Sequence, residues 1–553
     1  MIAIQNDFAG GLNLFDDDTN LKDNEVRLLF NGRTRFGYAE PAQQSELQTG
    51  LPAGNMQGGI GVGNIAIAFV DGLAYYRYEG TSTWFQIASF QMDALVDRIY
   101  ACAVPKSTYD FIRRLNNSAN ERMLVTTDYK IAGNPAGIVV QDGINQPWLI
   151  EFNGTTQQFV ARVTKNYSQW DNTGTAANSR EYVPIGLQMF YVNQKLYVVT
   201  RDKKAIYQSI TGRPLDFMIN VDANGNKLAT ESQGGADSVS FAMDSDEITC
   251  VQPINIPNSF IYGTARRTRI ITADYTRTLF DEPRYTETAL INVGINNQES
   301  VAEILGDYVL CDAEGVKSFN AVKNLRIEGL NSVFSLPISK LFNRISQQAT
   351  AITYLDNYAL VYCRTIYGDA TLVYDGLRQL WTSIDITEVI KVKQFFTTKL
   401  NEIVYAYAVC GNGKLWRIYS SSQPATAAML TRSIVTDDAK REHKSQFLKA
   451  VFRRGSVKDG TARAIEYVDE QVSNDVTQQM DMRLLGINYP VRPPVIPSNN
   501  NIMLPLTFQF TKGLNGNKLA YILQWNTDAQ LMNWQVVTTE SSRDVGFRQT
   551  SNT

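Results

Sequence analysis

Between Val183 and Phe217 apolar and polar residues roughly alternate over three short runs, Gln188–Val192, Lys195–Thr200 and Ala205–Ser209. Asn193-Gln194 separates the first pair and the charged tip Arg201–Lys204 the second. A period of two, rich in Val, Tyr and Phe, predicts antiparallel strands with one covered face. A Gly-Arg-Pro turn then sends the chain onward.

The same meander recurs. Strands are predicted at Ile65–Phe69, Leu73–Tyr78 and Trp84–Phe90, with hairpin signals at Asp71-Gly72 and Glu79-Gly80. Further sets fall at 137–163, 247–273, 300–319, 350–384 and 395–419. Serial meanders at a spacing of roughly 40 to 60 residues predict a β-propeller of six or seven blades. The glycine run Gly58-Gly59-Ile60-Gly61-Val62-Gly63 lacks the Lys-Ser/Thr of a phosphate loop and reads as a flexible bend between blades.

The flanks differ from this body. Residues 1–50 form an N-terminal arm, with Gly10-Gly11 as a hinge and a short helix expected from the Asn20–Asp23 cap through Phe30. Residues 51–420 make the propeller. After the linker-like SSSQPATAA, residues 421–553 read as a C-terminal β-sandwich-like domain. Pro490–Pro497 cannot hold a regular ladder and reads as an extended connector. The fold class is therefore all-β.

Composition narrows the chemistry. The chain has 553 residues, 44% hydrophobic, and a formal net charge of -3, which advertises no broad nucleic-acid-binding surface. Five scattered cysteines without a C-x-x-C spacing read as buried free thiols rather than a metal site. No basic, apolar leader opens the sequence, and no stretch approaches the roughly 20 apolar residues of a membrane helix.

Catalytic signals are weak. The lone histidine, His443, sits in the charged segment AKREHKSQ and reads as a solvated surface residue. Acid pairs such as Asp244/Asp246, Asp312/Glu314 and Asp385/Glu388 read as solvated turn carboxylates rather than a glycosidase pair. Asp16, Asp18 and Asn20 share a calcium-loop spacing but lack its glycine and closing glutamate. No catalytic residue, metal or cofactor is expected. Two basic clusters are candidate DNA or subunit contacts: Arg266, Arg267, Arg269 and Arg277, and Lys440, Arg441, Lys444, Lys449, Arg453 and Arg454.

The opening carries a resemblance. Phe8, Gly10, Gly11, Leu12 and Asn13, then Leu21, Asn24 and Glu25, then Asn31, Gly32, Arg35 and Gly37 resemble the start of many bacteriophage tail and head-to-tail connector proteins. Within the blades, Ile206–Ser209 with Gly212, Pro214 and Phe217, the hairpin Tyr308–Phe319, and Val373–Asp375 with Trp381 are similar to segments of phage tail propellers. The resemblance implies a structural virion protein of a short-tailed phage: a tail nozzle, hub or DNA-stabilising connector made in the host cytoplasm. Such proteins form rings, often hexameric, around the axial channel, next to portal or adaptor proteins and the passing double-stranded DNA. The arm and Pro490–Pro497 would then make neighbour contacts. A carbohydrate- or receptor-binding propeller is the alternative, followed by a glycan-cleaving enzyme.

Overall fold

The computed structural model describes residues 2–542 except 17–19, 106–135, 154–157, 165–182, 193–194, 210–213, 216, 218–244, 275–283, 313–314, 321–335, 342–349, 366–367, 436–440, 454, 456–458, 482–502 and 512–513. Seven antiparallel meander sheets follow one another among these residues. The first is Met56–Val62, Ile65–Val70, Leu73–Tyr78 and Phe85–Gln86. Later sheets begin at Tyr100, Gly186, Ile248, Val301, Ala351 and Val392. Each sequence-predicted meander lies on one of them.

The leading strands stand side by side around an axis. Met56–Val62 neighbours Tyr100–Pro105, which neighbours Gly186–Val192, and Val392–Leu400 returns against Met56–Val62. Apolar clusters fill the spaces between consecutive sheets, and Phe396, Tyr407 and Val409 of the seventh pack on Ala66, Ala68 and Trp84 of the first. Separate twisted sheets packed face to face around an axis make a β-propeller.

Glutamines stitch the blades where no ladder runs between them. Gln394 accepts from Gly59 N and donates to Gly59 O, both at 3.0 Å. Gln188 donates to Thr249 O at 2.8 Å and accepts from Val251 N at 3.1 Å. Gln141 does the same on Leu187 O and Gly186 N at 2.7 and 3.1 Å. A side-chain amide supplies one donor and one acceptor, as a backbone residue does, so each glutamine satisfies a strand edge that a neighbouring chain would otherwise pair.

The glycine run is not a bend. It forms the leading strand Met56–Val62, pressed on by the seventh sheet. A Cβ on Gly59 would stand 2.4 Å from Phe396 Cε1, and one on Gly61 1.8 Å from Thr397 O. Glycine is there because two leading strands approach too closely for a side chain.

The C-terminal region is a sandwich. One leaf, here A, is ordered Ile2–Gln5, Gln530–Ser542, Arg441–Arg453, Met503–Gln509. The other, B, is Ala427–Leu430, Lys518–Trp525, Asp459–Val468, Gln471–Asp481. Leu448, Ala450, Phe508, Trp534 and Val536 of leaf A meet Ala464, Tyr521, Leu523 and Trp525 of leaf B in one core.

The arm binds these parts together. Leu28–Phe30 pairs in parallel with the sixth sheet at Ile384 and antiparallel with Ala427–Leu430, fusing blade and leaf B into one ten-stranded sheet. Glu46–Leu47 completes the seventh sheet against Trp416 and Arg417. No helix forms over 20–30. Lys22 N donates to Glu25 Oε2 at 3.0 Å and Glu25 N to Lys22 O at 3.0 Å, so the cap-like signal closes a single turn. Strand partners on both sides then outweigh a helix too short to hold alone. Gly11, with φ +70°, passes beneath Trp381, whose carbonyl would lie 2.5 Å from a Cβ there.

Candidate functional site: the axial channel and the charges around it

The leading strands of sheets three to seven line a cavity of about 350 Å³ on the axis, with Phe190, Gln252, Glu303, Tyr354, Phe395 and Thr397 in its wall. Glu299, in front of the fifth sheet, points into it and is met by Arg98, in front of the second. These sheets are not neighbours, so the ion pair crosses the interior of the ring. Burial opposes the Arg98 charge, but Glu299, Tyr100 and Asp97 together outweigh it and hold the guanidinium above its ordinary value. Arg98 also lies 4.9 Å over the ring of Tyr100.

The adjoining residue, Asp97, receives Lys393 Nζ at 2.7 Å. Gln57 donates to the carbonyls of Asp93 and Val96, both at 2.8 Å, and Asp93 N donates to Asp142 at 3.2 Å. Segment 93–98 is thereby tied to the first, second, fifth and seventh sheets. Arg98 and Glu299 thus join the entrances of the second and fifth sheets.

The sequence-predicted basic residues divide. Arg266 and Arg267 are exposed on the hairpin between Ser259–Thr264 and Thr268–Asp274, whose backbone amides donate to Thr264 Oγ1 at 3.3 and 3.1 Å. Arg269 is half-buried on the following strand. Lys444, Lys449 and Arg453 share strand Arg441–Arg453, half-buried. Lys444 and Arg453 stand at opposite ends of it, about 30 Å apart at the usual rise per residue, and Arg453 lies over the Tyr38 ring at 5.7 Å. Arg441 opens that strand. Arg277, Lys440 and Arg454 lie outside the described residues, as does Pro490–Pro497.

His443 is not at the surface. It is 2% exposed inside the sandwich, with Nδ1 3.3 Å from Thr538 Oγ1 and its backbone bridged to Gly516. Strand alternation turns His443 and Ser445 inward while their charged neighbours face out. Nor are the acids of the candidate pairs all solvated. Asp312 binds Lys317 Nζ at 2.6 Å, and Asp385, 1% exposed, is held by Arg33. Asp244, Glu314 and Asp18 lie outside the described residues. Among the described residues no three His, Cys, Asp or Glu side chains converge on a metal position, and no helix is long and apolar enough to cross a membrane.

Sequence reasoning missed the buried ion pairs. Arg77, Arg417 and Glu79 converge with Tyr407 and Thr398 at the seam of the first and seventh sheets, Thr398 donating to Glu79 at 2.6 Å. Arg35 grips Asp375 through Nε at 2.8 Å and Nη2 at 3.2 Å. No local pattern joins Glu79 to Arg417 or Arg35 to Asp375, although Arg35 belongs to the opening motif. The arm, expected to reach neighbouring molecules, is engaged along these contacts within its own chain.

No family model matches the chain, and no curated protein matches it. Among solved structures it is similar to the β-propeller domain of Cps50 (Swd1) from Myceliophteria thermophila, at 9% identity and a TM-score of 0.37, over 68% of this chain and 100% of that one. The fold assignment rests on the sheet order and the packing of the leading strands.

Proposed function

We propose that this chain is a structural protein of a short-tailed phage virion, a nozzle, hub or connector subunit that rings the DNA path with copies of itself. The observation that carries the reading is the structural work done by the residues of the phage-like opening. Phe8 is fully buried, Gly11 passes under Trp381, Glu25 closes the turn at Lys22, and Arg35 grips Asp375. They form the joint between sandwich and propeller, so proteins sharing them would share this joint. In this reading the DNA path runs between subunits, because segment 93–98 ties four sheets of the propeller to one another across its interior. Exposed Arg266 and Arg267 would offer weak phosphate contacts, compatible with DNA that must slide. Portal or adaptor proteins would be its neighbours, and its role would be assembly and DNA retention rather than catalysis.

A glycan- or receptor-binding role is the second reading. A polar cleft of about 550 Å³ on the sandwich, lined by Thr461, Arg463, Asp475, Thr477, Gln524 and Asn526, favours it. Electron microscopy and light scattering of the purified protein, alone and with a virion fraction, separate the two. Rings, or density in the tail below the portal, support the first. A monomer absent from virions that binds glycans overturns it.

A further inference from the structure

The cavity among the leading strands has a one-sided chemistry that the proposed function leaves unused. Its wall holds two carboxylates, Glu299 and Glu303, two amides, Gln252 and Gln298, and no lysine, arginine or histidine. Glu299 has its cation, because Arg98 meets it from the second sheet. Glu303 has none. This half-buried carboxylate takes its bond from Asn255 Nδ2, a neutral donor, and forms no ion pair among the described residues. Gln298 Oε1 is buried and accepts no hydrogen bond among the described residues. One cavity thus holds a carboxylate without a counter-ion and an amide oxygen without a donor, both of which cost free energy when left so.

A group that answers both needs carries a positive charge and several N–H donors. A bare metal ion lacks the donors, and no three His, Cys, Asp or Glu side chains among the described residues converge to hold one. A phosphate or carboxylate would meet Glu303 with like charge. An alkylammonium has one positive charge and three donors, and Met189, Val301, Ile352 and Phe395 in the same wall suit its hydrocarbon chain. At about 350 Å³ the cavity lies at the small end of ligand pockets, which suits a short chain. We propose that this axial cavity binds an alkylammonium group whose charge is met by Glu303, supplied by a free amine or by the lysine side chain of a docking protein. The site stands apart from the virion reading, and either can fail without the other.

The test is calorimetric titration of the full chain at pH 7 and constant ionic strength, with butylamine and with 1-butanol up to about 10 mM. Butylamine, which is charged at this pH, is expected to bind, and butanol is not. Glu303→Gln should weaken butylamine about 10- to 100-fold, the range of one charge-assisted bond. Thr397→Met should weaken it too, by filling the cavity from the seventh sheet, where the Thr397 side chain is exposed and tolerates exchange. That second variant decides if Glu303→Gln fails to fold. Magnesium chloride should not displace the amine. A capped Gly-Lys-Gly peptide separates the two sources: its binding assigns the lysine of a partner, and butylamine binding without it assigns a free amine. No butylamine binding, equal binding of butanol, displacement by magnesium, or undiminished binding in a folded Glu303→Gln or Thr397→Met overturns the proposal. Rings seen by electron microscopy bear on the virion reading alone.

Discussion

Arg33 and Asp385, 352 residues apart, meet through two bonds, Nη1 to Oδ1 at 3.2 Å and Nη2 to Oδ2 at 2.8 Å. Ser383 also donates to that carboxylate at 2.6 Å, and Tyr419 donates its hydroxyl. Burial opposes the Arg33 charge, and Asp385 with Tyr419 and Tyr358 more than restores it. Burial and then Asp385 push the Tyr419 hydroxyl well above its ordinary value, so it remains a donor. This pair fastens the arm to the sixth sheet.

Replacing Asp385 with Ala leaves Arg33 charged and buried without its partner. The expected loss is about 3–5 kcal/mol in chemical denaturation. Asp385→Asn keeps the shape and one acceptor and should lose less. Equal, small effects from both would show that the pair does not fasten the arm.

Gly61→Ala brings a methyl to within 1.8 Å of the Thr397 carbonyl and should cost about 1–3 kcal/mol or more. Gly306→Ala meets no atom within 4 Å, and its φ of +83° alone should cost about 1 kcal/mol. Melting temperatures of the two variants, compared side by side, check the order.

Gln188→Ala removes both stitches to the fourth sheet and leaves Val251 N and Thr249 O without them. The expected cost is about 1–3 kcal/mol. Hydrogen exchange gives the local signature: the Val251 amide should exchange faster, while amides of the sandwich keep wild-type rates.

Burial pushes the thiols of Cys102, Cys311 and Cys410 from 9.0 up to about 12. The unfolded chain releases these protons first, so folding stability is complete below about pH 9 and declines as pH rises toward 12. A denaturation series from pH 7 to 11 should show this decline. A thiol reagent at pH 8 should leave the native protein unmodified and label it once unfolded.

The blades were legible because each is local: Asp71-Gly72 turns one strand onto the next, and alternation gives the covered face. The glycine run misled because its cause, Phe396 and Thr397, lies more than 330 residues away along the chain. His443 misled because composition describes the outward neighbours, whereas alternation decides which residue turns in. The arm was readable as distinct from the propeller. Its partners at Asp385, Ala428 and Val537 were not, since an ion pair or a short ladder between distant segments leaves no periodic trace. Of the two basic clusters, the second is close in sequence, but its Lys444 and Arg453 stand toward the two ends of a strand.

The arm also sets an order of events during synthesis. Gln5 receives the indole of Trp534, 529 residues later, and Ile2 pairs with Val537. At about 5–20 residues per second, these first residues wait roughly 30–100 s on the ribosome for their partners. Each blade can form as it emerges, and Leu28–Phe30 can pair once Ile384 and Ala427–Leu430 are made, but the sandwich must await Gln530–Ser542. Ile2–Gln5 is thus among the last segments to settle, and through that interval it is an unpaired strand that a chaperone would have to shield.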